Sequence, residues 1–263
     1  MKLDYGIQIS PFPITLSIGT LKKPSLREIS ELTFDKFNYF EFFLKLTPND
    51  YYTKLKKEEG KEYWNALTVE QKEKIALYDL IKENSDLQNI YSDILNFFFI
   101  ETVVYHEGYF ILLKQNIESL DNVQKSDICG VISQVNFTNI VDILQQICCI
   151  QDDSNSYDEA KVKNNLAKRL LEKMSKGQNK SKYEKKLDIN ATIPNIISAL
   201  ANKHPSLNYT NIWDLTIFQL LDSFKRVQTN SMFDISSTRV SVWGDEKNTF
   251  DPTMWYKNEY DKN

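Results

Sequence analysis

The chain has 263 residues, with 41% hydrophobic, 13% aromatic and 26% charged side chains. That is enough apolar area to offset the entropy of ordering the chain, which excludes an intrinsically disordered protein. Its formal charge of −4 and isoelectric point near 5.4 lack the basic excess of a dedicated nucleic-acid binder. The most apolar run, residues 97–113, is broken by Glu101, His106 and Glu107, so no transmembrane helix is expected. The opening MKLDYGIQISPFP has no apolar stretch of a secretory signal, and none is expected.

In chain order, residues 1–21 read as a pair of short strands. Tyr5, Ile7 and Ile9 alternate with Gly6 and Gln8, and Ile14, Leu16 and Ile18 alternate beyond Pro11 and Pro13. Ser25 with Glu28 predicts a capped helix toward Leu32, and Thr33 caps a second with Phe37, Phe40 and Leu44 at helical spacing. Tyr39, Phe42, Phe43 and Leu46 widen that stripe, which suits either a core seam or a docking surface. Thr68–Gln71 and Ser85–Gln88 predict two further capped helices, forming a hairpin with Asn84 as the turn residue. Residues 97–113 predict a β-hairpin turning at Glu107-Gly108, its strands joining the N-terminal pair in one antiparallel sheet. A helix follows over 138–150.

The polar stretch 151–158 marks the clearest boundary, followed by a helix with Ala160, Leu166, Leu170, Leu171 and Met174 on it. Six lysines then fall between Lys173 and Lys186, against Glu172 and Glu184. They read as a solvated linker or as a phosphate-contacting arm, with the chain's acidity and the lack of interleaved arginines against nucleic acid. Thr192 caps a helix with Ile193, Ile196, Ile197 and Leu200 on one face, ended by His204-Pro205. Thr210 is expected to cap a longer one, with Trp213, Ile217, Leu220, Phe224 and Val227 in one stripe and Ile212, Leu215, Phe218 and Leu221 in another. Two apolar faces predict packing on two sides. The tail from Val240 reads as irregular and carries Trp243, Phe250, Trp255, Tyr256 and Tyr260, a candidate contact surface because Trp and Tyr dominate interface energetics. The expected architecture is mainly α with a small antiparallel sheet: an N-terminal α+β lobe over 1–150, a polar loop, helix and Lys-rich linker over 151–190, and a helical lobe with an aromatic tail over 191–263.

The chemistry-bearing residues are sparse. The seven glycines are too scattered for a phosphate-cradling loop. Two histidines, His106 and His204, offer no metal pair, and no CxxC, HExxH, DxDxDG or GxSxG spacing occurs. His204 suits a partner of the helix C-terminal dipole, and Asp152-Asp153 suits a solvated acidic pair. Cys129, Cys148 and Cys149 read as small hydrophobes in a reducing compartment. The expectation is a non-enzymatic protein with no cofactor, metal or catalytic residue.

Two blocks carry a resemblance. PITLSIGTLKKPSLREI (residues 13–29) with the aromatic helix behind it, and IWDLTIFQLLDSFKRVQ (residues 212–228) with its VSVWGD sequel, resemble tail or baseplate assembly proteins of long-tailed phages from low-GC bacteria. The resemblance covers about half of the chain and rests on the texture and order of elements. It implies a non-catalytic assembly factor, chaperone-like, that binds a tail or baseplate component in the host cytoplasm or stays in the virion. The contact candidates it implies are Trp213, Phe218, Phe224, Trp243 and Trp255. The competing readings are a nucleic-acid-binding accessory protein using the Lys173 to Lys186 arm, and an enzyme with an unrecognised site.

Overall fold

A computed structural model describes residues 2–114, 123–150, 192–245 and 249–257. The fold is mainly α with two small antiparallel sheets, as composition and periodicity predict. The first expected strand is instead a helix. Asp4 accepts the backbone N–H of Ile7 at 2.7 Å and starts α1 (Tyr5–Ile9), so a local cap overrides the alternation of Tyr5, Ile7 and Ile9. The buried Lys23 ammonium fixes its far end by donating to the Ile7 and Ser10 carbonyls. Burial holds the Lys23 pKa below the usual lysine range, against the opposing pull of the Asp4 carboxylate. The second expected strand is present as β1 (Ile14–Leu16), paired with β2 (Gly19–Leu21) through a turn at Ser17-Ile18 rather than at the prolines.

Helix α2 (Leu26–Leu32) carries the predicted capping box of Ser25 and Glu28, and Lys22 adds an ion pair to Glu28 at 2.9 Å. Thr33 caps α3 (Phe34–Leu44), whose aromatic stripe divides. Phe37, Phe40 and Phe43 are buried, while Tyr39 and Phe42 remain partly open to solvent. The helical run Pro48–Leu55 contains a π turn and leads to α4 (Lys57–Ala66). The predicted Thr68–Gln71 box starts only the short α5 (Val69–Lys74), and the chain breaks to extended geometry at Ile75 and Ala76 before α6 (Leu77–Glu83). Helix α7 (Ser85–Phe98) is capped by Asn84, not Ser85, because the Asn84 side chain accepts from Asp86 and Leu87 N–H.

Phe97 and Phe98 belong to α7, and the hairpin is β3 (Thr102–His106) and β4 (Tyr109–Leu113), turning at Glu107-Gly108 as predicted. Both turn residues have positive φ, 48° and 86°, the type I′ geometry that suits a two-residue connection. The third strand is β5 (Ile128–Ile132), which composition did not signal, and the β1–β2 pair forms its own sheet instead of joining this one. Asn96 substitutes for a fourth strand: its amide accepts from Val103 N–H at 2.8 Å and donates to Val103 C=O at 2.7 Å. Helix α8 (Gln134–Ile147) begins four residues before the predicted Thr138, because Ser133 and Asn136 form its capping box.

Helix α9 (Ile193–Lys203) matches the predicted bounds, ending at His204. His204 is the C-cap residue, and its Nδ1 accepts from the Ser206 and Leu207 amides, both at 3.2 Å. Thr216, not Thr210, caps the long α10 (Ile217–Trp243), with Gln219 completing the box. Ile212–Asp214 form a separate 3-10 turn before it.

Core residues from the two ends of the chain share one buried cluster. Ile196, Ile197 and Leu200 of α9 and Ile217 and Leu220 of α10 pack with Leu3, Leu26, Ile29 and the aromatic residues of α3 and α7. Leu26 N–H donates to Leu215 C=O at 2.8 Å, tying the starts of α2 and α10 together. Tyr91 sits fully inside and donates to Phe43 C=O at 2.8 Å, and Tyr78 donates to Gly108 and Ile132 C=O, both at 2.9 Å. Desolvation pushes both phenols well above their ordinary range, so they stay protonated donors.

The two sheets meet where Gly130 of β5 lies under the Ile18 turn. A Cβ at Gly130 would collide with the Ile18 carbonyl, whereas a Cβ at Gly244 (φ 74°) meets open space. Gly130→Ala should therefore cost about 2 kcal/mol or more through a forced backbone shift. Gly244→Ala should cost only the backbone penalty of about 1 kcal/mol. Equilibrium urea unfolding of both variants tests that order, and equal losses would contradict the close approach.

Candidate interaction surface

Helix α10 changes character along its length. Its first turns are buried through Ile217, Phe218 and Leu220, and they bond to the N-terminal segment. Gln219 donates to Ile9 C=O at 2.8 Å. Tyr5 donates to the buried Asp222 carboxylate at 3.3 Å, and Arg226 donates to Asp222 at 3.2 Å and to the Tyr5 oxygen at 3.1 Å. Those bonds, led by the Tyr5 one, raise the Arg226 pKa further. Both predicted apolar stripes are buried or half-buried up to Val227, which agrees with packing on two sides. Beyond Val227 no residue of α10 is buried.

The helix continues through Trp243, three residues past the predicted start of the tail, and stops at Gly244, which has a positive φ. Asp245 then accepts the Phe250 and Thr249 amides at 2.8 and 3.0 Å, bonds that hold its carboxyl below the usual range. The described part of the tail runs back along α10. Phe250 packs on Phe233 with ring centroids 5.6 Å apart, and the turn Met254–Tyr256 reaches Lys225, Arg226 and Thr229.

The opposite side of α10 is bare. Met232 is 58% exposed, Ile235 71%, Val242 65% and Trp243 80%. At about 100° per residue these four side chains share an arc of about 100°, turned away from the Phe233 face. Arg239 lies within the same arc. The result is an apolar stripe along the projecting half of the helix, of the kind that marks an interaction site when contiguous.

The five contact candidates do not form one surface. Phe218 is 2% exposed and stands edge-on to Tyr5 at 6.0 Å, so it fills the core and presents nothing to a partner. Trp213 and Phe224 are half-buried against the core, with the Trp213 indole donating to Tyr209 C=O at 2.9 Å. Trp243 is exposed at the far end of α10, about 37 Å along the helix from Phe218. Trp255 is half-exposed on the returning tail, edge-on to Tyr256. Met232, Ile235 and Val242 were not among the candidates, although their spacing is a helical signal in the sequence. Tyr260, Asp152-Asp153, the helix expected over Ala160 to Met174 and the Lys173 to Lys186 arm lie outside the described residues.

A groove of about 610 Å³ lies near the base of α10, walled by Phe34, Glu41 and Phe42 of α3, Ile193 of α9 and Leu221 of α10. Cys148 and Cys149 lie at its floor, and burial pushes the Cys149 thiol up to about 12, with Glu41 and Asp222 adding to it. A thiol so raised is protonated near neutrality and a poor nucleophile. The exposed His106 lies 3.8 Å from Glu107 on the hairpin turn. Among the described residues no group of three His, Cys, Asp or Glu could hold a metal ion, and no helix is long and apolar enough to cross a membrane.

Burial in the groove wall also raises the Glu41 pKa, against the pull of Lys45. A carboxyl raised on folding is destabilising when ionised, and that cost disappears once pH falls below its unfolded pKa. Glu41→Gln should therefore raise the unfolding midpoint at pH 7 and leave it unchanged near pH 3. A stabilisation that persists at pH 3 would contradict a titration effect.

No match to the chain appears among curated proteins or solved structures. Residues 178–260, about a third of the chain, match the family model of the YomV second domain, a stretch that contains α9, α10 and the returning tail.

Proposed function

We propose that the protein is a non-catalytic interaction factor in phage tail or baseplate assembly, which grips a tail or baseplate component through the bare face of α10. The observation that carries this reading is the stripe of Met232, Ile235, Val242 and Trp243 on a helix whose other end is locked in the core. A rigid helix face loses little entropy on binding, and large exposed apolar side chains gain most from desolvation. The match to the YomV second domain covers this same helix, and YomV is associated with Bacillus prophage, which favours a phage setting. The place of action on this reading is the host cytoplasm, with retention in the virion as the alternative end point. The raised thiols and the lone exposed histidine offer no activated nucleophile or paired acid and base in the described residues, so an interaction role fits them better than a reaction.

The test is capture of identified phage tail or baseplate proteins by the tagged full chain in cells producing the phage. Ile235→Ser with Trp243→Ser should weaken that capture by about 2 kcal/mol, roughly thirtyfold in affinity. Thermal stability should stay within about 0.5 kcal/mol, because neither residue touches the core. Capture that ignores both substitutions, or that never includes a tail or baseplate protein, would overturn the reading.

A further inference from the structure

A second cleft, of about 520 Å³, opens between α3, the π turn at Tyr51–Leu55 and the start of α7. It shares no wall with the bare face of α10, and its volume lies within the roughly 300–1,000 Å³ of small-molecule sites. The π turn shapes one side. Lys56 N–H donates to the Tyr51 carbonyl at 3.1 Å, five residues back, and the Lys56 ammonium lies 5.6 Å from the Tyr51 ring centroid. Helix α4 clamps the turn from behind, so closely that a Cβ at Gly60 would meet the Tyr52 carbonyl. Such turns are rare and recur at functional sites.

The side chains at the mouth narrow the choice of ligand. Tyr39 is 47% exposed and is braced edge-on by Phe43 at 4.7 Å. Tyr51 is buried in the wall, its hydroxyl accepting from the Asn84 amide at 3.2 Å. Among the described residues the Asp86 carboxylate and the Asn89 amide have no side-chain partner, so both are free to bond a ligand. A cationic ligand would meet Lys56 already on the Tyr51 ring, and an anionic one would meet Asp86. A wholly apolar ligand would take water from both charges and return no hydrogen bond. A neutral polyhydroxyl ligand satisfies every group. Its C–H faces lie on the negative face of a tyrosine ring, and its hydroxyls donate to Asp86, accept from Lys56 and do both with Asn89. We propose that this cleft binds a neutral saccharide, with Tyr39 as the stacking platform and Asp86, Asn89 and Lys56 as its hydroxyl partners.

Saturation-transfer difference NMR on the full-length chain tests this with maltotriose, chitotriose and lactose as probes. At about 10 mM each, binding is read down to millimolar dissociation constants. Saturation should reach the ring C–H protons of at least one probe. Tyr39→Ala should weaken that binding about tenfold, the worth of one ring contact, and Asp86→Ala by a similar factor through a lost charge-assisted hydrogen bond. Both residues are exposed, so the thermal midpoint should not move. Tyr63→Ala, an exposed ring outside the cleft, should leave binding unchanged. Transfer to none of the three probes, binding indifferent to Tyr39→Ala and Asp86→Ala, or an equal loss in Tyr63→Ala would overturn the proposal. Binding of choline or inorganic phosphate in place of the sugars would also overturn it, since either marks a charged ligand.

Discussion

The buried start of α10 is the join on which both ends of the chain depend. There Ile217, Phe218 and Leu220 enter the core while Gln219, Asp222 and Arg226 bond to the first nine residues. Asp222 is a buried carboxylate, and leaving such a group unpaired costs several kcal/mol. Its two partners, Tyr5 and Arg226, satisfy it from two elements far apart in sequence. The same contacts hold α1 in place, with Lys23 closing its far end. Once this base is fixed, the remaining turns of α10 project at a set angle, and the returning tail covers one of their faces.

That arrangement gives one helix two roles. Up to Val227 its apolar residues are spent on the core; from Met232 they face solvent or the tail. A helix of this length with a buried base can hold an apolar face rigidly in water, because the cost of exposing it is borne by the stability of the whole core. Burial also fixes the state of the core's titratable groups. The Cys148 and Cys149 thiols are kept protonated by burial, and the buried phenols act as structural donors to Phe43, Gly108 and Ile132. These groups hold the fold together.

Much of the fold was legible in the sequence where a cap and a periodic stripe agreed. Ser25–Glu28, Thr33 and the Glu107-Gly108 turn all lie where residue chemistry puts them, and Thr192 holds the N-cap position of α9 without a side-chain cap bond. The errors have physical causes. Asp4 captures the Ile7 amide and turns an alternating stretch into helix. Asn84 competes with Ser85 for the same cap and wins by accepting two amides. Strand β5 is short, contains Gly130 and owes its pairing to β4, a long-range contact that local pattern does not contain. The start and end of α10 were both misread, the start because Thr210 and Thr216 are both able caps, the end because Ser, Thr and Arg between Ile235 and Val242 dilute the helical stripe. That second misreading put Val242 and Trp243 in the tail, while Met232 and Ile235 lie beyond Val227, the last residue of the predicted stripes. Phe218 was misjudged for the opposite reason, since aromatic character alone does not distinguish a core ring from a contact ring.

Helix α10 is locked at its base and open along its outer half. Hydrogen–deuterium exchange of the isolated full-length chain reads this directly, helix turn by helix turn. The account predicts that amides of Leu220 to Phe224 exchange only with global unfolding, while those of Ile235 to Trp243 exchange through much cheaper local opening. Uniform global protection from Leu220 to Trp243 would mean that the outer face is already packed, and would contradict it.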